Sequence, residues 1–300
     1  MTEPNALKRP IQASAGKAAK EEGWWETVKI VVEALIIALV VRTLLFQPFN
    51  IPSGSLTPTL LIGDYLFVSK YADGYSHYSL PSMLDPGLAD DSDSGLLFTV
   101  VHFPARILGK ALDGVIPGWE HERLFASQPK RGDIIVFKLP RDGETDYIKR
   151  LIGLPGDHIQ MINNRLYING QIVDRQPLPP YQTTGRFGEP AQVPHYLETL
   201  PGGVKHEIIQ LEGDNNPMPY TANTDVYVVP PDHYFFMGDN RDNSSDSRVP
   251  PDRGGVGYVP FENLIGRAEV IFFSVDGAPA WEFWQWPWTV RWGRMFHAVH

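Results

Sequence analysis

No cysteine occurs among the 300 residues. That absence excludes a disulfide framework, thiolate metal sites and thiol nucleophiles, but it leaves the compartment open, since an exported protein can do without disulfides. A surplus of positive charge is missing too: 35 acidic residues face 26 basic ones, for a net charge of −9. Such a chain repels phosphate backbones, so nucleic acid is not the expected partner. Glycine-rich phosphate loops and a Gly-x-Ser-x-Gly elbow are absent, and no internal repeat is visible. The nine histidines show no ligand spacing, and His206-Glu207-Ile208-Ile209-Gln210 misses the zinc-helix pattern at its last residue. Asp93-Ser94-Gly95 is one copy of a triplet that aspartic proteases need twice. Neither a metal nor a cofactor is implied.

What is present begins with 27 prolines and 27 glycines. These suit turns between short strands and argue for a mainly β fold. Ile30 to Phe46 reads IVVEALIIALVVRTLLF, apolar except for Glu33, Arg42 and Thr43. Extended to residues 27–49, this stretch predicts a single transmembrane anchor, with Glu33 and Arg42 snorkelling to opposite interfaces. Lys8, Arg9, Lys17 and Lys20 precede it, and after Arg42 the next cationic residue is Lys70, which places the N-terminus in the cytoplasm. Trp24 and Trp25 fall where an inner aromatic belt would lie. A cleaved signal sequence is the alternative, but the small-residue site nearby is limited to Ser53-Gly54-Ser55.

Residues 1–26 read as a disordered cytoplasmic tail and 50–300 as a β-rich domain outside the membrane. Strands are expected at Asp64–Ser69, Asp133–Leu139, Tyr147–Leu154, Asp225–Val229, His233–Met237 and Ile265–Ser274. Arg165–Asp174 reads as a hairpin turning on Asn169-Gly170. Residues 73–128 interrupt the pattern as an insertion. Residues 281–296 hold five of the eight tryptophans and read either as an interfacial anchor or as packing against the domain's own core.

Three segments remain that could carry chemistry. Phe49–Leu60 (FNIPSGSLTPTL) holds Ser53 and Ser55 in a loop stiffened by proline, a composition that by itself only makes turns. In Asp146–Asp157 (DYIKRLIGLPGD), alternation puts Tyr147, Lys149 and Leu151 on one strand face. A strand lysine is ordinarily a solvated edge charge, but facing a core it would lose water and its pKa would fall toward neutrality. Met237–Arg248 (MGDNRDNSSDSR) is a run of small polar residues built for hydrogen bonds.

Together these blocks, with Arg131-Gly132-Asp133 and in this order, resemble the type I signal peptidases, Ser-Lys serine proteases that remove signal peptides from exported proteins. The resemblance implies Ser55 as nucleophile and Lys149 as general base, with Ser53 and the Ser55 N–H forming the oxyanion hole. It implies that Ser244 orients the lysine, and that the pairs Asp239 with Arg150 and Asp246 with Arg248 shape the site. It further implies cleavage after an Ala-x-Ala-like site, with shallow pockets lined by Phe49, Ile51, Pro52, Leu56, Leu60, Val136, Tyr147 and Ile148. Leu56 stands where the family usually has methionine, a swap of similar volume. The implied partners are preprotein signal peptides, the lipid bilayer and the neighbouring secretion translocon, at the inner membrane with the catalytic domain on the periplasmic side. A catalytically silent, membrane-tethered β module that binds exported chains is the alternative. A self-cleaving Ser-Lys protein fits less well, because no DNA-binding segment accompanies the site.

Overall fold

The computed structural model describes residues 18–76, 78, 123–184, 190–210, 219–277 and 283–299. Residues 1–17 of the expected tail, most of the 73–128 insertion and the first residues of the tryptophan-rich segment lie outside that range.

The chain forms two compact units, the first ending at Arg42 and the second running from Thr43 to His300. The described part of the first belongs to helix α1 (Ala18–Leu44), whose last two residues fall in the second. It begins inside the stretch expected to be a tail and stops short of the expected anchor end, because Phe46–Asn50 form a strand. Pro48 forbids a helix continuing through that segment. Among the described residues no helix is long and apolar enough to cross a membrane. The side chains of Ile30, Ile36 and Ile37 in α1 are 55–65% exposed.

In the second unit the strands run β1 (Phe46–Asn50), β2 (Asp64–Ser69), β3 (Ile134–Lys138), β4 (Asp146–Gly153), β5 (His158–Ile162), β6 (Arg165–Ile168), β7 (Gln171–Ile172), β8 (Asp174–Thr184), β9 (Pro190–Thr199), β10 (Lys205–Ile209), β11 (Tyr227–Val228), β12 (His233–Met237), β13 (Val259–Pro260), β14 (Leu264–Ser274) and β15 (His297–Ala298). The largest sheet has the order β1-β2-β14-β3-β4-β12-β13, with β15 added beside β14. Every pairing in it is antiparallel. A four-stranded sheet β11-β5-β6-β7 and a three-stranded sheet β10-β9-β8 complete the unit.

The reasons lie in the residues. β3 (IIVFK) is apolar on both faces, and all but its last residue are buried, which suits a central strand covered on both sides. The β6–β7 turn is Asn169-Gly170 with φ of 53° and 73°, the positive angles of the type I′ turn expected there. Three apolar clusters form the core. One joins Ile51, Leu56, Leu60, Leu66, Val136 and Ile271 beneath the β1–β2 loop. The second lies under β5 and β6, and the third packs Phe137, Leu151 and Phe236 between β3, β4 and β12.

The C-terminal segment is neither free nor fully packed away. Helix α2 (Trp286–Thr289) sets the Trp286 ring 5.0 Å from that of Phe273, while Trp284, Trp288 and Trp292 are 53–84% exposed.

Candidate active site

The β1–β2 connection is a loop closed at its stem, where Ile51 N–H donates to Asp64 O (2.8 Å) and Gly63 N–H donates to Ile51 O (3.0 Å). Asp64, fully buried, also accepts from Leu61 N–H (2.8 Å) and the Ser274 hydroxyl (2.6 Å). Inside the loop Gly54–Leu56 form a single 3-10 turn, whose apolar residue Leu56 is buried in the first core cluster. Ser55 is thereby fixed by its neighbour's burial, and only 6% of it is exposed.

Lys149 comes from β4, where its register partner is Ile135 of β3. Its Nζ lies 2.8 Å from Ser55 Oγ and 3.0 Å from the carbonyl of Ile148, and it stands 5.2 Å over the Tyr147 ring. The lysine is 4% exposed. Burial lowers its pKa to about 8, against the opposing pull of Asp246 and Asp239. An amine that gives up its proton near neutrality and touches a hydroxyl can take the hydroxyl proton, which makes the oxygen a nucleophile. Ser53 is exposed, with its Oγ 3.4 Å from Ser55 Oγ.

Two buried ion pairs flank the dyad. Arg150 grips Asp239 through Nε and Nη2, both at 2.8 Å, and donates from Nη1 to Gly132 O at 2.8 Å. Arg248 grips Asp246 through Nε and Nη2, both at 2.9 Å. Burial alone would raise both carboxyls, yet the guanidinium beside each holds it below the usual carboxylate range. These are the pairs expected from the resemblance. Ser244 is buried, but its hydroxyl is not hydrogen-bonded to Lys149. It lies beside Asp246, whose charged form it favours, and against Gly238.

Of the expected pocket positions, Phe49, Ile51, Leu56, Leu60, Val136 and Ile148 meet in the first core cluster. Tyr147 packs on the third cluster, with its ring under Lys149, and Pro52 is exposed. Among the described residues no cluster could hold a metal.

Sequence reasoning missed the hydrogen bonds that seat Ser55. Asn240 N–H donates to Ser55 O (3.0 Å) and its Nδ2 to Gly54 O (3.1 Å), while the Thr59 hydroxyl donates to Asp239 at 2.6 Å. Both residues sit inside the motif blocks, but nothing in residue type distinguishes them from turn formers. Glu198, His206 and Arg241, buried behind the site, were missed as well.

The family model described as signal peptidase, peptidase S26, matches residues 24–273. Signal peptidase I of Rickettsia conorii is 39% identical over 88% of this chain and 83% of the relative. That of Rickettsia prowazekii is 40% identical over 80% of this chain and 76% of the relative. A signal peptidase I crystal structure from Enterococcus faecalis aligns with 47% of this chain and 97% of its own at 26% identity, with a TM-score of 0.26, and adds nothing to the assignment. With a family model spanning most of its length and relatives near 40% identity, the chain belongs to the signal peptidase family, peptidase S26, the serine endopeptidases that remove signal peptides.

Proposed function

We propose that this endopeptidase works through a Ser55–Lys149 dyad and cuts membrane-inserted preproteins after an Ala-x-Ala-like site. The observation that carries the reading is the 2.8 Å approach of Lys149 Nζ to Ser55 Oγ, with both groups buried and the lysine titrating near 8. In the cycle, neutral Lys149 takes the Ser55 proton as Oγ attacks the scissile carbonyl. The tetrahedral oxyanion is met by the Ser55 N–H and the Ser53 hydroxyl, and the lysine then returns the proton to the leaving amine. The acyl-enzyme is released when the same amine, neutral again, draws a proton from water.

Small side chains at the cleavage site are in keeping with a Ser55 that stands beside buried Leu56, a member of the cluster that also holds Ile148 and Val136. The exposed apolar side chains of α1 and the basic residues Lys8, Arg9, Lys17 and Lys20 support attachment to a membrane with the N-terminus inside and the catalytic unit outside.

The test is cleavage of a preprotein carrying an Ala-x-Ala site by detergent-solubilised wild type, Ser55→Ala and Lys149→Ala. Wild type is expected to cut after the small residue, and each variant to lose about 10³-fold or more of kcat. Undiminished cleavage by either variant would reject the dyad. Inert, folded wild type would favour the silent binding module.

A further inference from the structure

Glu198 belongs to none of the motif blocks, yet it is 2% exposed and carries a charge. It stands one residue before the end of β9, opposite His206 of β10 in the strand register. Its Oε1 accepts from Nη1 of Arg241 at 3.0 Å, and its Oε2 accepts from Nη2 of the same guanidinium. Arg241 is itself 1% exposed. A carboxylate–guanidinium pair this deeply buried contributes little net stability, because desolvating two ions offsets their attraction. Its location is the more informative property.

Arg241 lies in the polar loop that follows β12, and its backbone is held at both ends. Its N–H donates to Ile209 O of β10 (3.0 Å), and its carbonyl accepts from Arg248 Nη2 (2.6 Å). Arg248 in turn holds Asp246, one of the two carboxylates acting on Lys149. One residue before Arg241, Asn240 seats the Ser55 and Gly54 carbonyls. One residue before that, the carbonyl of Asp239 accepts from Ile209 N–H at 3.1 Å. His206 closes the cluster, with Nε2 3.4 Å from Glu198 Oε2 and 3.9 Å from Asp239 Oδ1. The β8–β9–β10 sheet thus grips the loop carrying both site-shaping carboxylates, and Glu198 is the side chain that binds its arginine.

We propose that Glu198 is a positioning residue for the dyad: by fixing Arg241 it locks the 238–248 loop, and through Asn240 and Arg248 the placement of Ser55 and the charge around Lys149. This rests on the Ser55–Lys149 reading. No bond to Glu198 forms or breaks in the reaction, so its loss should act on kcat and not on substrate affinity.

The experiment measures kcat, KM and the pH profile of kcat/KM for Glu198→Gln beside wild type and Ser55→Ala, with folding followed by circular dichroism. Glu198→Gln is expected to lose about 10- to 100-fold in kcat, as small misplacements of reacting groups do, with KM unchanged. The midpoint of its rising pH limb should move upward, because a loosened loop admits water to Lys149. A second variant, Glu198→Leu with Arg241→Met, replaces the ion pair with apolar groups of similar size and guards against loss of the fold. It is expected to melt near wild type and still show the reduced kcat. Wild-type kcat and pH profile in Glu198→Gln, or their full recovery in the apolar double variant, would overturn the proposal. Failure of the dyad itself would appear separately, as cleavage that survives Ser55→Ala.

Discussion

On the Ser55–Lys149 reading proposed above, the pH dependence of this enzyme is a property of one side chain. That reading needs the amine neutral, and burial has brought its pKa from the ordinary lysine value down to about 8. The rate constant kcat/KM should therefore rise with pH and level off above a midpoint near 8, which a profile on a peptide substrate would show. The consequence for stability has a definite sign. Between about pH 8 and the ordinary lysine value near 10.5 the unfolded chain holds the proton that the folded chain has given up. Stability contributed by this group therefore rises with pH through that window, and below it the full cost of burying the charge is present. Lys149→Met should accordingly abolish cleavage while raising the unfolding free energy at pH 7 by about 1–3 kcal/mol. A thermal melt lower than wild type would mean that the ion pairs, not the amine, set the balance. Gly238 makes the opposite case. A Cβ there would lie 2.4 Å from Ser244 Oγ and 2.5 Å from Ser55 O. Gly238→Ala should therefore push the nucleophile's backbone out of place and lower kcat by about 100-fold. Wild-type activity in that variant would show that the loop can move aside freely.

At the scale of elements, legibility followed apolar pattern and failed where contacts were distant. β2, β3, β12 and the Asn169-Gly170 hairpin fall where alternation and turn chemistry put them. β8 and β9 were unreadable because Pro177, Pro179, Pro180, Pro190 and Pro194 argue against strands, each removing a ladder donor. The structure accommodates the three prolines of β8 with a register irregularity between Leu178 and Tyr181 and with β8 at the sheet edge. The dyad and its two ion pairs were legible only as family motifs, since Ser55 and Lys149 are 94 residues apart. The grip of β9 on Arg241 spans 43 residues and matches no motif. The same is true of the C-terminal strap. Arg294 donates to Thr59 O (2.9 Å) and pairs with buried Asp64 (2.6 Å), and Arg291 donates to Ile62 O (3.0 Å). A segment readable from composition either as a lipid contact or as core packing is thus a clamp on the β1–β2 loop. Arg294→Met leaves the Asp64 carboxylate buried without its guanidinium and should cost about 3–5 kcal/mol, read by denaturant unfolding. Asp64→Asn in the same chain should recover part of that loss. No recovery would place the clamp's effect in Thr59 alone.

At the scale of the molecule, the two units pose different solvent problems. The unit from Thr43 onward buries three apolar clusters of its own, whereas Ile30, Val31, Val32, Ile36, Ile37, Val40 and Val41 of α1 stand 40–65% exposed. So much apolar surface on one helix calls for a cover, and the proposed membrane attachment would provide one. The net charge of −9 gives the chain no general attraction to anionic lipid, so on that reading the apolar side chains carry most of the attachment. The full chain should therefore stay with membranes through high salt and alkaline washing. A chain starting at Thr43 should be released as a folded protein that still cuts a soluble peptide, since every residue of the dyad, its ion pairs and its clamp lies beyond that point. Flotation of both chains with neutral and anionic vesicles then divides the attachment between helix and exposed tryptophans. If the shortened chain floats as the full chain does, and replacing Trp284, Trp288 and Trp292 by serine releases it, the C-terminal segment holds lipid. If it stays at the bottom of the gradient, α1 is the whole of the anchor and the strap serves the nucleophile loop alone.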